Sequence, residues 1–454
     1  MIIRLLRWLL ALFRPTPEPP PVVEPSPPVV VPSPPVVTPP VVTPLHRTGI
    51  VRLDGRAFAD DDGPFVGWGA SLFWALWAAR HDEPKLNEAL DWLSSHGVDY
   101  VRVLSMVGSQ PYWDGRIINP SWDDYAEVLF RLLDACQSRG LRVQMTLFAD
   151  AQVMMPRQQD RLAWVETMAV RLESRRPTIQ FVEIANESNL NGVDDSDLAE
   201  LTRHWTVHSG ILVAPSSPDG GNAEESIQRL FSEHSAINAD LLTPHLDRRI
   251  NTVEGRYRPI RQPWEVQFYN TPTTVFTNNE PIGPGSSGET ETDPGRLAAG
   301  MLTTYIAGGA SYVLHSDAGV RGDISYPDAV SDDAMRAMRA VHGLVPGDIA
   351  SGQRQNHHWD GHPYETADQI WPDTDGTGVV RAFATEVNHV FWIILMGLRD
   401  KYDMIARWDM TIESYDLRTG EWDDAVTLDV GDTWTFYALH DDAVSDLLHK
   451  VTRR

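Results

Sequence analysis

A chain of 454 residues that holds one cysteine, Cys136, can form no intrachain disulfide. Cys136 lies in a helical-looking stretch, YAEVLFRLLDACQSRG, where packing is the expected use of a lone thiol. Zinc-type Cys/His spacings are missing too. The one adjacent histidine pair, His357-His358, falls in a polar, irregular stretch that reads as surface loop. No metal and no cofactor is therefore expected. No GxGxxG or P-loop follows any apolar run, which removes the usual phosphate cradles. Positive charge is scarce, with 38 Lys+Arg against 63 Asp+Glu and a formal net charge of -25. Such a surface repels phosphate backbones, so nucleic acid is not an expected partner. No apolar run reaches the ~20 residues that a membrane-spanning helix needs.

What is present divides the chain into five parts. Residues 1–14, MIIRLLRWLLALFR, are apolar but short and are interrupted by Arg4 and Arg7. They read as a signal-like or anchor segment, or as an amphipathic helix on a membrane surface. Prolines begin at once and no small-residue cleavage site follows, which favours attachment over removal. Residues 15–48 repeat a Pro/Val pattern and form a linker. Proline donates no hydrogen bond and fixes φ, so this segment is expected to be a semi-rigid polyproline-II spacer of about 3.1 Å per residue. A spacer behind a membrane-seeking head fits an extracellular or membrane-tethered protein. Residues 49–348 are the large body, 349–378 a polar connection, and 379–454 a β-rich end with a short tail.

Within the body, eight strand-like runs recur roughly every 35 residues, the length of a βα unit with its loops. They are FVGWGAS (65–71), VDYVRVLS (98–105), LRVQMTLFA (141–149), IQFVEIAN (179–186), ILVAPSS (211–217), DLLTPHL (240–246), TTVFTNN (273–279) and SYVLHSD (311–317). Helical periodicity lies between them. In PKLNEALDWLSSHG, Leu86, Ala89 and Leu93 share a face and Gly97 is placed to end the helix. DDAMRAMRAVHGLV (332–345) reads as the closing helix. A doubly wound open sheet shows the same alternation, but polar residues end many of these strands rather than one crevice. The expected fold is α/β, a (β/α)8 TIM barrel, followed by a small antiparallel β-domain built from VVRAFATEV, HVFWIILMG, WDMTIESYDL, AVTLDV and TWTFYAL. In that domain Trp392, Trp408 and Trp434 are expected to pack in core or interface.

Two of the strand ends carry glutamate behind asparagine: Asn186-Glu187 at strand four and Asn279-Glu280 at strand seven. In a barrel of eight these ends face each other across the C-terminal mouth. A facing carboxylate pair is the minimal equipment for cleaving a glycosidic bond, one group protonating the leaving oxygen and the other attacking carbon or activating water. Aromatic residues cluster near the same strand ends. Trp68, Phe73, Trp74 and Trp77 end or follow strand one, Tyr112 and Trp113 follow strand two, and Trp264, Phe268 and Tyr269 precede strand seven. Pyranose rings stack on such faces, and Trp74 and Trp113 are the best placed, though loop packing competes for each. Asp150 and Asp317 follow strands three and eight, where they can bind hydroxyls or cap helices. Glu183, inside strand four, is expected to be an interior charge paired with an arginine.

With those residues in place, the chain resembles clan A of the retaining glycoside hydrolases, the cellulase-like and mannanase-like barrels. The resemblance covers roughly residues 50–345 and, more loosely, the β-domain. It implies Glu187 as acid/base, Asn186 as a donor to the sugar 2-hydroxyl, Glu280 as nucleophile and Arg102 as the arginine that supports it. Glu187 would begin protonated and Glu280 ionised. The departures are Ser188 where proline often stands, NEP at 279–281 rather than at strand four, His245 where a tyrosine is frequent, and Leu314-His315 where a tryptophan is frequent. His245 and His315 thereby become substrate-side candidates. The function implied is double-displacement cleavage of β-glycosidic bonds in a poly- or oligosaccharide by a monomer, with internal or terminal action left open. The alternatives are a barrel that binds carbohydrate or a surface without turnover, and a structural protein displayed on its proline-rich stalk.

Overall fold

The computed structural model describes residues 47–109, 113–216, 239–246, 248, 263, 275–285, 289–355, 381–396, 401–406, 408–437 and 444–454. Segment 1–14, nearly all of the linker, most of 349–378, His357-His358, Tyr112, Trp264, Phe268 and Tyr269 lie outside them.

All eight expected strands form, and all run parallel. They are β1 (Gly67–Ser71), β2 (Tyr100–Leu104), β3 (Arg142–Phe148), β4 (Ile179–Ala185), β5 (Val213–Ala214), β6 (Leu241–Leu242), β7 (Val275–Asn278) and β8 (Gly309–Leu314). Their order in the sheet is β5-β4-β3-β2-β1-β8-β7-β6. The two ends of the sheet meet where Asp240 N donates to Val213 O at 2.9 Å and Val213 N to Asp240 Oδ2 at 2.8 Å, so β5 and β6 nearly close a barrel. β8 begins two residues earlier than its sequence suggests, because Gly309 already ladders onto Phe276 of β7 ahead of a register shift at Ala310, and it stops at Leu314.

The alternation of each strand decides what faces inward. On β2 and β3, Val101, Val103, Val143, Met145 and Leu147 belong to the apolar layer between sheet and helices. Their alternates Tyr100, Arg102, Gln144 and Thr146 fill the barrel interior, as period-two side chains must. The interior is layered. At the N-terminal end Phe181, Ala214, Leu241, Val275 and Ala310 meet Phe58 and Phe65. These two come from a three-stranded antiparallel sheet, Arg52–Asp54, Ala57–Asp60 and Gly63–Phe65, which plugs the bottom. Above it Tyr100 Oη donates to Ser311 Oγ at 2.9 Å, in space that only glycine leaves open: a Cβ at Gly69 would fall 2.4 Å from the Tyr100 ring. The polar layer of Arg102, Gln144, Thr146 and Glu183 comes next and opens on the mouth.

The surrounding helices are α1 (Glu83–Ser95), α2 (Tyr125–Gln137), α3 (Gln158–Glu173), α4 (Asp195–His208), α5 (Pro294–Ile306) and α6 (Asp332–Leu344). On α1, the Asp82 side chain caps Lys85 N at 3.3 Å, Leu86, Ala89, Leu90 and Leu93 are buried, and Gly97 leaves with φ +87°. α6 closes the barrel through His342. Its Nε2 lies 3.0 Å from Asp99 Oδ2 and 3.1 Å from Val66 O, and Asp99 Oδ2 also accepts from Trp68 N at 2.8 Å.

Burial pulls the His342 pKa down, but Asp99 and the Val66 carbonyl more than reverse this against a small opposing push from Arg47, so it is raised. A raised folded pKa means that protonation favours the native state. This stabilisation is present below the unfolded value near ~6.5 and is lost as pH rises through the folded one. Melting temperature measured across that interval is therefore expected to fall with rising pH in the wild type and to stay flatter in His342→Gln. Parallel curves would rule out the coupling.

The C-terminal region forms a separate antiparallel sheet in the order Gln353–Gln355, Arg381–Val387, Val390–Met396, Val444–Arg453, Met410–Asp416, Val426–Leu428. A two-stranded ribbon, Lys401–Ile405 with Thr433–Tyr437, stands beside it. Val387, Trp392, Ile394, Tyr415 and Leu448 join the barrel's apolar cluster, and Arg418 Nη1 donates to Asp293 Oδ2 at the start of α5 at 2.7 Å. Trp392 and Trp408 are buried, and Trp434 is half-buried.

Candidate active site

The mouth of the barrel is organised around Arg102, which is fully buried on β2. Its guanidinium reaches three partners. Nη1 donates to Glu280 Oε1 at 2.5 Å, and Nη2 donates to Glu183 Oε2 and to Asn186 Oδ1 at 2.8 Å each. Burial opposes its charge, but the two carboxylates outweigh this and raise its pKa. Glu183 is the interior, arginine-paired charge expected of it. Thr146 Oγ1 donates to its Oε2 at 2.7 Å and Asn279 Nδ2 to its Oε1 at 2.9 Å. Asn279, held in turn by Gln144 Nε2 at 2.8 Å, thus serves the interior while its neighbour Glu280 turns to the mouth.

Four basic side chains surround the Glu280 carboxylate. Beyond Arg102, Arg248 Nη1 donates to Oε2 at 3.3 Å, His245 Nδ1 lies 3.4 Å from the same oxygen, and His315 Nε2 lies 3.7 Å from it. Burial pushes the Glu280 pKa up. The positive potential of His245, His315, Arg102 and Arg248 overcomes this and holds it well below the usual carboxylate range. Burial also drives His315 down to about 3, so this ring is neutral near pH 7 and the arginines carry the lasting charge. Ser71 Oγ meets His315 Nδ1 at 2.8 Å and orients the ring. His315 Nε2 has no hydrogen-bond partner among the described residues.

Glu187 sits opposite. Its backbone has φ +37°, a conformation that costs a non-glycine residue energy and persists only where the surroundings enforce it. They do so here: Asn191 Nδ2 donates to Asn186 O at 2.8 Å, and Ser188 N donates to Ser216 Oγ at 3.1 Å. Glu187 Oε1 lies 3.2 Å from His245 Nδ1, so one imidazole nitrogen stands between the two carboxylates. One oxygen from each glutamate and one nitrogen of His245 all fall within 4.8 Å of one another. The Asn186 amide presents its oxygen to Arg102, which turns its amino end away from the arginine, as a donor to a bound hydroxyl requires.

The aromatic candidates part ways. Phe73 lies over the Arg102 guanidinium at 4.9 Å and 5.9 Å from the His315 ring. Trp113, half-buried, stands edge-on to Phe73 at 6.5 Å, and its Nε1 donates to Asp150 Oδ2 at 2.8 Å. Asp150 also accepts from Gly108 N at 2.9 Å and so pins the loop after β2; it stands at the N-cap position of the turn Ala151–Met154 without a side-chain cap hydrogen bond. Trp74 does not join the cluster. It is 4% exposed, its Nε1 donates to Ala318 O, and Lys85 covers its ring at 5.2 Å. Its ring is thus enclosed by Ala318 and Lys85 rather than offered to the mouth. The structure therefore gathers Glu187, Glu280, Asn186, Arg102, His245 and His315 around one point and attaches Trp113 through Phe73. Arg248 and Ser71 were not singled out by the sequence reading. Arg248 had one available signal, its position three residues beyond His245 in the loop after β6.

No family model matches the sequence, and no curated protein matches it either. Solved structures do share its shape. A chain titled glycoside hydrolase superposes with a TM-score of 0.65 at 14% identity, covering 89% of this chain and 96% of that one. A glycoside hydrolase family 5 protein from Bacteroides vulgatus gives a TM-score of 0.63 at 15% identity, covering 89% and 94%. The shared fold extends across both the barrel and the C-terminal sheet.

Proposed function

We propose that this barrel is a retaining glycoside hydrolase that cleaves β-glycosidic bonds in an oligo- or polysaccharide by double displacement. The observation that carries the proposal is the close approach of the Glu187 and Glu280 carboxylates, which one His245 nitrogen joins at 3.2 Å and 3.4 Å and which bring an oxygen of each to no more than 4.8 Å from the other. Retaining enzymes place the two carboxyl groups about 5–5.5 Å apart, whereas inverting ones need about 6.5–9.5 Å to admit a water between them. The shared fold with the two glycoside hydrolase structures supports the reaction class.

In this reading Glu280 attacks the anomeric carbon while Glu187 gives its proton to the leaving oxygen. Glu187, now ionised, then takes a proton from the water that releases the sugar from Glu280. The electrostatics divide these roles. Glu280, ringed by Arg102 and Arg248 and held well below the usual range, is the group prepared to be an anion. Glu187 lacks an arginine partner among the described residues. Among the described residues its carboxylate meets His245, which can hand a hydrogen bond between the two carboxylates as charge moves from one to the other.

The test is hydrolysis of a panel of nitrophenyl β-glycosides and soluble β-glucans and β-mannans, with the anomer of the first product followed by NMR. Release of the β-anomer first is expected. Release of the α-anomer would make the enzyme inverting, and no release from any substrate would favour the non-catalytic barrel.

The head and the proline-rich linker are proposed to tether the barrel to a membrane surface. Deletion of residues 1–45 is expected to leave Tm and turnover of soluble substrates unchanged and to abolish co-sedimentation with anionic lipid vesicles. A marked fall in Tm would instead mean that the stalk packs on the body.

A further inference from the structure

The outside of the barrel holds a second convergence of side chains, unrelated to the carboxylate pair. α3 and α4 lie side by side, tied at one end by Arg161 Nη1 to Asp197 Oδ2 at 3.1 Å and at the other by Ser209 Oγ to Glu173 Oε2 at 2.8 Å. Between these ties Glu166 of α3 meets His204 and His208 of α4. Positions 204 and 208 are one turn apart, so both imidazoles leave the helix on one face. Their ring centroids are 4.5 Å apart at 56°. Both direct Nε2 at a single atom, Glu166 Oε1, which lies 2.9 Å from His204 and 3.5 Å from His208. One donor atom from each residue falls within 4.8 Å of the other two.

A surface ion pair explains only half of this. One imidazolium satisfies the carboxylate oxygen at 2.9 Å, while the second, at 3.5 Å, is beyond good hydrogen-bond length. Two imidazolium rings with centroids 4.5 Å apart would also repel each other. A divalent cation resolves both problems, because it takes the lone pairs of two neutral imidazoles together with the carboxylate. We propose that Glu166, His204 and His208 form a binding site for a zinc-type transition-metal ion whose remaining positions are filled by water. Zinc bonds nitrogen and carboxylate oxygen at roughly 2.0–2.2 Å, which sets tetrahedral neighbours about 3.3 Å apart. The observed 3.5 Å and 2.9 Å contacts bracket that spacing, so rotamer adjustment alone would admit the ion. Two imidazoles with one carboxylate suit zinc, nickel, cobalt or copper, whereas magnesium and calcium require shells made mostly of oxygen. Glu166 and His208 are exposed and His204 is half-buried, so the ion needs no entry channel.

The ion would clamp α3 to α4, the two helices that flank β4 and the strained Asn186-Glu187 turn behind it. Its effect is on stability by mass action, since the site exists only when both helices are docked. It has no place in the bond cleavage, because the three ligands face outward while the carboxylate pair opens at the mouth.

The full chain, treated with EDTA and dialysed into a non-chelating buffer, is titrated with zinc chloride by calorimetry and melted with and without the ion. A site lost in His204→Ala, His208→Ala and Glu166→Gln, with affinity falling by more than the ~10-fold that even outer-shell changes cost, is expected. The ion should raise Tm in the wild type and not in these variants. Alanine and glutamine are good helix formers, so the variants keep their fold. Two other places, the Glu187–His245–Glu280 cluster and His357-His358, also carry metal-binding side chains. His245→Ala and the double variant His357→Ala/His358→Ala must therefore retain the same site. No zinc binding by the wild type, binding that survives His204→Ala with His208→Ala, or magnesium chloride binding as tightly as zinc would each overturn the proposal.

Discussion

Glu280→Gln is expected to lower kcat by ~10⁴–10⁶-fold, the scale on which enzymes lose turnover when a covalent nucleophile is removed. The fold should survive. Arg102 keeps Glu183 as a partner at 2.8 Å, so the substitution leaves no arginine buried alone. The two glutamates can be told apart by refilling the space of a truncated one with azide. In Glu280→Ala, azide takes the nucleophile's place and attacks the anomeric carbon once, with Glu187 still present as the acid. The product should be the glycosyl azide of inverted configuration. In Glu187→Ala, tested with a substrate whose leaving group needs no proton, Glu280 still attacks first and azide releases the sugar in a second inversion. That product should retain its configuration. Exchanged outcomes would reverse the two roles, and the position of NEP at 279–281 makes such a reversal worth testing. If neither variant is impaired on substrates that the wild type cleaves, the carboxylate pair is not the catalytic centre.

The eight strands could be read from the sequence because each buries both faces in a barrel and so appears as an apolar run with a polar end. The same property revealed the glutamates: after VEIA and VFTN, a carboxylate can only point out of the mouth. Glu183 was readable for the opposite reason, since an acid in the middle of an apolar strand must find an interior cation. Other features left no such mark. The closure between β5 and β6, which have two laddered residues each, rests on an aspartate, Asp240, rather than on an apolar run. Trp74 shows the limit of position alone. It follows β1 closely enough to face the mouth, yet Ala318 and Lys85, distant in sequence, decide that it is enclosed. Arg248 stands three residues beyond His245, but that position alone says nothing of the 3.3 Å between its guanidinium and Glu280. Likewise Glu166, His204 and His208 form no recognisable motif until two helices place them together.

Arg102→Met is expected to have the second large effect, and on two independent readouts. The first is stability. Removing the cation leaves Glu183 buried with Thr146 and Asn279 as its remaining partners among the described residues and takes the closest charge from Glu280. Breaking a buried pair in this way typically costs ~3–5 kcal/mol. Urea unfolding should show this at neutral pH. The sign of the pH dependence follows from Glu280, whose pKa is lowered in the fold. Its contribution is present above the unfolded carboxylate value of about 4.3 and is lost as pH falls through the folded one. The variant should therefore lose less additional stability on acidification than the wild type does. The second readout is catalytic. The acidic limb of kcat/KM against pH reports the essential base of the free enzyme, here the Glu280 carboxylate. With Arg102 gone that limb should move toward neutral pH, because burial still opposes the anion and less charge resists it. Arg248 remains at 3.3 Å, so Arg102→Met with Arg248→Ala should move the limb further than either change alone. A stability loss with an unmoved limb would confine Arg102 to its pairing with Glu183 and leave Arg248 to hold the nucleophile ionised.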